Sequence, residues 1–242
     1  MKNNAAVDYL KLFLALGIVA LHTGFLLNFQ SGFYIHAIVF RLGVPFFFLT
    51  SGYYLAAKTK KEDNKTIIDY IKRLIYLYLI LSTCYLIINV FRYDSFNPST
   101  LLDGIWFILT GRSQSVMWFV GALITSCIIL MHVKDEKKLR VSLITALILY
   151  IIGLLFNTYA FLINNKYFGF LYNFLVQKFS NNSNALFEGY LFVGIGYYIN
   201  KYRKDYKLKY NIMYLIIGFL VLIGEVILIH KHLDKLVNYE YY

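Results

Sequence analysis

A chain of 242 residues that is 59% hydrophobic and only 15% charged, with a mean hydropathy of +0.57, is too apolar for a soluble domain, where about half the residues are apolar and a quarter charged. Its net charge of +11 does not point to nucleic acid, because the basic residues fall in separate short loops between apolar runs rather than in one patch. The ten-residue alternation of an outer-membrane barrel is absent, which leaves an all-α, polytopic transmembrane helix bundle.

The first apolar run, 5–28, is expected to be a retained span rather than a removed signal peptide, since "LHTGF" offers no small-residue cleavage site. It carries Asp8, Lys11 and His22, each costing roughly 2.5–3.5 kcal/mol in lipid unless it meets something polar. Eleven residues are close to three turns, so Lys11 and His22 share a helix face, with Asp8 within about 60° of it. A path through the membrane requires such an alignment. The plainer reading makes Asp8 and Lys11 snorkelling residues at a helix end and His22 a satisfied buried histidine.

A second helix is expected over 33–57. Arg41, in "AIVFRLGVPFFFLTSG", is expected well inside this span and toward its outer end, where His22 also lies. There it requires a partner, which a structural ion pair could supply, or a water-filled cavity. Ser51 and Gly52 mark a place where helices can approach closely. The third helix, 67–91, carries Arg73 near its start, where it overlaps the basic loop 58–73. Lys11, Arg73 and that loop could converge on an anionic ligand from the cytoplasm, or Arg73 could be an ordinary anchor on the positive side.

The run "LLDGIWFILTG" is too short to cross and reads as re-entrant or interfacial. Helices follow at 115–132 and 139–163. Next comes a loop with an amphipathic look, rich in Tyr167, Phe168, Phe170, Leu171, Tyr172 and Phe174, in keeping with an aromatic belt. The last two runs, 185–200 and 210–230, carry Glu188 and Glu225, two acids expected to converge with His22 and Arg41 in the outer half of the bundle. Cys84 and Cys127 lie in apolar runs and read as packing residues. His36, His132, His230 and His232 fall at span ends, and no metal site is expected. A Ser-His-Asp hydrolase is not supported, since there is no G-x-S-x-G elbow and Ser51 is expected near the opposite membrane face from His22.

Lys and Arg number none, six, two, four, two and five in the six successive loops. Positive charge collects on the cytoplasmic side. This alternation therefore predicts seven spans, with the N-terminus cytoplasmic and the C-terminus outside.

Two segments, "VDYLKLFLALGIVALH" and "RLGVPFFFLTSGYYL", together resemble the opening helices of the integral-membrane acyltransferase-3 family. The matching residues are Asp8, Lys11, His22, Arg41, Val44, Pro45, Phe46, Phe47, Ser51 and Gly52. "YIKRLIYLYLI", "MWFVGALI" and "LFEGYLFVGIGYYI" extend the resemblance along the chain, and lysine at the first basic position is similar to the membrane half of the serine racemases of vancomycin resistance. The resemblance implies transfer of an acyl group, typically acetyl, from cytoplasmic acetyl-CoA or another acyl-CoA to a carbohydrate or envelope polymer at the plasma membrane, without a metal. His22 would act as base, Arg41 would orient the acceptor or stabilise an oxyanion, and Lys11 with Arg73 would hold the donor's phosphates. Glu188 or Glu225 would support His22 or Arg41. A single domain over 1–242 is expected, lacking the family's last helices and the arginine usual ahead of "LFEGYLF". A non-enzymatic transport or binding module, for an amino acid for example, and an inactive shortened homologue are the alternatives.

Overall fold

The computed structural model describes residues 5–25, 30–59, 64–93, 117–133, 135–159, 169–170, 172–174, 183–202 and 208–233. Outside them lie the proposed re-entrant segment 101–111, the ends of the first and fifth expected helices, and part of the aromatic loop, of which Phe170, Tyr172 and Phe174 are described. All regular structure among the described residues is helical: α1 Ala5–Thr23, α2 Gln30–Ile38, a 3₁₀ turn Phe40–Leu42, α3 Gly43–Lys58, α4 Lys65–Tyr93, α5 Trp118–His132, α6 Glu136–Phe156, a π-helical turn Ala185–Gly189, α7 Tyr190–Tyr202 and α8 Leu208–Leu233.

Helix α1 stops well short of the expected residue 28. Gly24 has a positive φ of 66°, and the Phe25 N–H donates to the Ala20 carbonyl at 3.2 Å, the geometry of a glycine C-cap. Apolarity continues through "FLLNF", but a left-handed glycine turns the chain whatever the hydropathy of the residues that follow. The second expected helix, 33–57, is interrupted too. An unbroken helix would need an N–H at Pro45 to bond the Arg41 carbonyl, and the proline ring would collide with that oxygen. The chain instead forms the 3₁₀ turn, in which the Leu42 N–H donates to the Val39 carbonyl at 3.2 Å. Pro45 then falls in the first turn of α3, where its missing donor costs nothing. Arg41 therefore occupies a 3₁₀ turn within the apolar stretch Tyr34–Lys58.

The chain divides into two compact units, the first made of 1–47 and 203–242 and the second of 48–202, so that α3 passes from one to the other after Phe47. In the first unit α1 packs on α2 and the 3₁₀ turn, and α2 packs on α8. Gly17 faces the Phe40 ring so closely that a Cβ would come within 2.5 Å of it. Gly43 sits likewise against Ile18.

In the second unit, α7 and the preceding π turn pack on both α5 and α6, and α4 packs on α5. Phe48, Ser126, Cys127 and Val193 are fully buried. The Phe48 ring lies 4.4 Å from that of Phe119 and against Gly189. Residues of α3 and α7 cross at two glycines in a reciprocal contact. A Cβ on Gly52 would stand 1.9 Å from the Val193 carbonyl oxygen, and one on Gly196 would stand 1.9 Å from the Leu49 oxygen. At the start of α6 the Glu136 carboxylate accepts from Arg140 and from the Tyr198 hydroxyl, tying this helix to the end of α7.

The π turn opens on Asn184, whose side-chain oxygen accepts from the backbone N–H groups of Leu186 and Phe187 at 3.0 and 3.1 Å. Asn184→Ala is expected to cost about 1 kcal/mol, the usual worth of such a cap. This should appear as a lowered thermal midpoint in detergent, largely restored in Asn184→Asp.

Three stretches, Ala5–Thr23, Tyr34–Lys58 and Glu136–Leu155, are long and apolar enough to cross a membrane, and Trp118–His132 and Leu215–Ile227 are shorter apolar helices. Helix α4 has 29 residues, about 43 Å at the α-helical rise, and is free of charge from Leu74 to Phe91. Large aliphatic side chains such as Leu16, Val19, Ile144, Ile148, Leu220 and Val221 stand mostly exposed. In water such a surface would drive aggregation, whereas hydrocarbon accepts it, and the helices satisfy their own backbone groups as lipid demands.

Candidate active site

The residues singled out for chemistry divide between the two units. Asp8, Lys11, His22, Arg41 and Glu225 belong to the first, and Arg73 and Glu188 to the second. The structure brings Asp8 and Lys11 together directly, at 3.7 Å across one helical turn. Asp8 is therefore Lys11's neighbour on its own helix, and both stay partly open, with side-chain exposures of 64% and 32%.

The buried face of α1 runs through Leu14 and Gly17. His22 lies roughly 80° round the helix from Leu14 and 140° from Gly17, and its side chain is exposed. Lys11 and His22 thus share a line that borders the packed stripe instead of lying within it. Arg41 is also exposed, in the 3₁₀ turn that packs on α1. This turn meets the helix through Phe40 at Gly17, and the residue after it, Gly43, meets Ile18. The backbone of Arg41 is thereby held about one helical turn below His22. Glu225 is half-buried in α8, the helix that packs on α2.

In the second unit Glu188 is half-buried within the π turn, and Arg73 is exposed near the start of α4. A π turn widens the helix by one residue and re-aims the side chains it carries. The Glu188 N–H donates to the Asn184 carbonyl at 3.2 Å, and the Gly189 N–H to the same oxygen at 3.0 Å. Ser51 hydrogen-bonds Tyr70, which gives this hydroxyl a structural role. Cys127 is fully buried and Cys84 exposed, both as free thiols.

His36 has a place that the sequence did not suggest. It is expected at a span end, yet it is buried, with a relative exposure of 5%. Its Nε2 donates to the Phe25 carbonyl, and its ring lies 5.3 Å from that of Phe40. The available signal was a lone polar residue inside the apolar string "FYIHAIVF".

Helices of this length with an apolar exterior define an integral, multi-pass membrane protein. The chain belongs to the acyltransferase-3 family: the model of that family's acyltransferase domain matches residues 4–242. Among curated proteins it is 30% identical over 226 residues to an amino-acid racemase of Enterococcus faecalis, covering 88% of this chain and 31% of the relative. It is 23% identical over 234 residues to a serine/alanine racemase of Enterococcus gallinarum, covering 94% of this chain and 33% of that protein. The chain therefore spans about a third of the length of these relatives. No solved structure matches it.

Proposed function

We propose that this chain is a membrane O-acyltransferase of the plasma membrane, moving an acyl group, acetyl in the first instance, from cytoplasmic acyl-CoA to a hydroxyl of an envelope carbohydrate or polymer. The observation that carries this reading is the family match along residues 4–242. In the reaction the acceptor oxygen attacks the thioester carbonyl while the neutral imidazole of His22 takes the hydroxyl proton. The C–S bond then breaks, and the proton passes to the departing CoA sulfur. An imidazole suits both transfers because its ordinary pKa lies near the working pH.

Arg41 stabilises the oxyanion that develops on the carbonyl. Lys11, on the same helix as His22, offers a point charge to the donor's phosphates. Of the two acids, Glu225 is the better partner for the His22–Arg41 pair, because α8 packs on α2, the helix that leads into the Arg41 turn. The test is to supply acetyl-CoA to the purified chain in lipid nanodiscs and follow thiol release with and without a glycan acceptor. Acceptor-stimulated release is expected, and its absence with every acyl-CoA tried would sink the proposal.

A second reading is favoured by the relatives, both of which are named as racemases of amino acids. On that reading the membrane chain binds or admits a small amino acid at the Arg41–Glu225 level. Saturable binding of serine or alanine, with no affinity for CoA, would select it over acyl transfer.

A further inference from the structure

We infer that His36 is a positioning residue that holds the His22-bearing end of α1 against the turn that carries Arg41. The inference rests on the proposed acyl transfer for its catalytic consequence, but not for its geometry. A carbonyl oxygen can only accept, so the His36 Nε2 that meets the Phe25 oxygen carries the proton. Phe25 follows His22 by three residues and closes the glycine cap of α1 through its N–H to Ala20. The backbone of Phe25 is thus bound on one side to the last turn of α1 and on the other to His36.

The other face of the His36 contact is Phe40, next in sequence to Arg41. The Phe40 ring is gripped in turn by His36 at 5.3 Å, by Phe13 at 6.4 Å and by Gly17. His36 therefore touches the two segments that end in the two proposed reacting side chains. His22 is itself exposed, so its placement follows that of the segment bearing it. A buried polar side chain with its hydrogen bond made favours one arrangement of the segments it joins, since breaking the bond strands a polar group in an apolar site.

The test compares His36→Leu, His36→Asn and His36→Gln in the full chain in nanodiscs. The glutamine amide nitrogen falls near the position of Nε2 and can donate to Phe25, whereas asparagine is polar but too short. Two readouts apply. In His36→Leu and His36→Asn the amides of the α1 cap, Gly24 and Phe25, are expected to exchange hydrogen about tenfold faster or more. The kcat for CoA release is expected to fall about 10- to 100-fold, as a small misplacement of reacting groups would cause. KM for the acyl donor should stay within about twofold, because the donor's contacts are untouched. His36→Gln should return both readouts close to wild type.

Unchanged exchange in His36→Leu, or a glutamine variant no better than asparagine, would overturn the inference. A parallel loss of kcat and rise in KM would mark His36 as merely structural and overturn it too. Should the wild-type chain release no CoA, the acyl-transfer reading fails by itself. The exchange measurement then still decides whether His36 holds the end of α1.

Discussion

Gly196→Val is expected to break the contact between α3 and α7 and to lower the thermal midpoint of the purified protein further than the loss of the Asn184 cap does. A side chain at this position begins 1.9 Å from the Leu49 carbonyl oxygen and 2.9 Å from the Tyr53 nitrogen. Both obstacles are backbone, which cannot swing aside as a side-chain end can, so the helices must separate. Overpacking generally costs about 1–3 kcal/mol and occasionally more. A clash with main chain on a buried face belongs at the upper end of that range. Gly52→Ala should behave alike, because its Cβ would meet the Val193 oxygen at the same 1.9 Å. Gly121→Ala is the control: nothing lies within 4 Å of a Cβ there, and alanine is the better helix former by about 1 kcal/mol. Equal midpoints for Gly196→Val and wild type would show that these helices do not meet through their glycines.

His22→Ala is expected to lower kcat for acyl transfer by about 10²- to 10⁴-fold, the usual contribution of a general base. KM for acyl-CoA should hold, since on the proposed reading the donor's phosphates meet Lys11 and not His22. Stability separates cleanly from activity at this position. His22 is exposed at the end of α1, so its truncation should move stability by no more than about 0.5 kcal/mol. Lost activity therefore cannot be confused with a lost fold. Turnover by His22→Ala at the wild-type rate, in protein with an unchanged thermal midpoint, would remove His22 from the chemistry.

Hydropathy and the paired motifs were enough to read much of this chain. Lipid supplies no hydrogen bonds to the backbone, so a spanning segment has to be both helical and apolar along its length, and both properties are written in composition. The helices at 65–93 and 208–233 accordingly fall within two or three residues of the runs 67–91 and 210–230. The Asp8–Lys11–His22 and Arg41–Pro45–Ser51–Gly52 spacings carried the family, which the match along residues 4–242 then established. The ends were less legible where a single residue outranked the average. Gly24 stops α1, and ahead of Pro45 a 3₁₀ turn at Arg41 interrupts the regular helix, although the apolar runs continue through both.

Which face of each helix packs was beyond the sequence, and the reason lies in the solvent. In water a helix must turn its polar side outward, so its periodicity reveals the core. In hydrocarbon the outer side is apolar as well. Helix α6 buries Leu139 and Ala146 while exposing Val141, Ile144 and Ile148, and nothing in the residue types separates the two groups. Reciprocity between Gly52 and Gly196, the pairing of Asp8 with Lys11, and the division of the proposed site residues between two units were therefore decided by tertiary packing. The burial of His36 between Phe25 and Phe40 belongs with them. By itself, the sequence determined that these segments are membrane helices and to which family they belong; the azimuth of each helix, and with it every contact between side chains distant in the chain, came only from the fold.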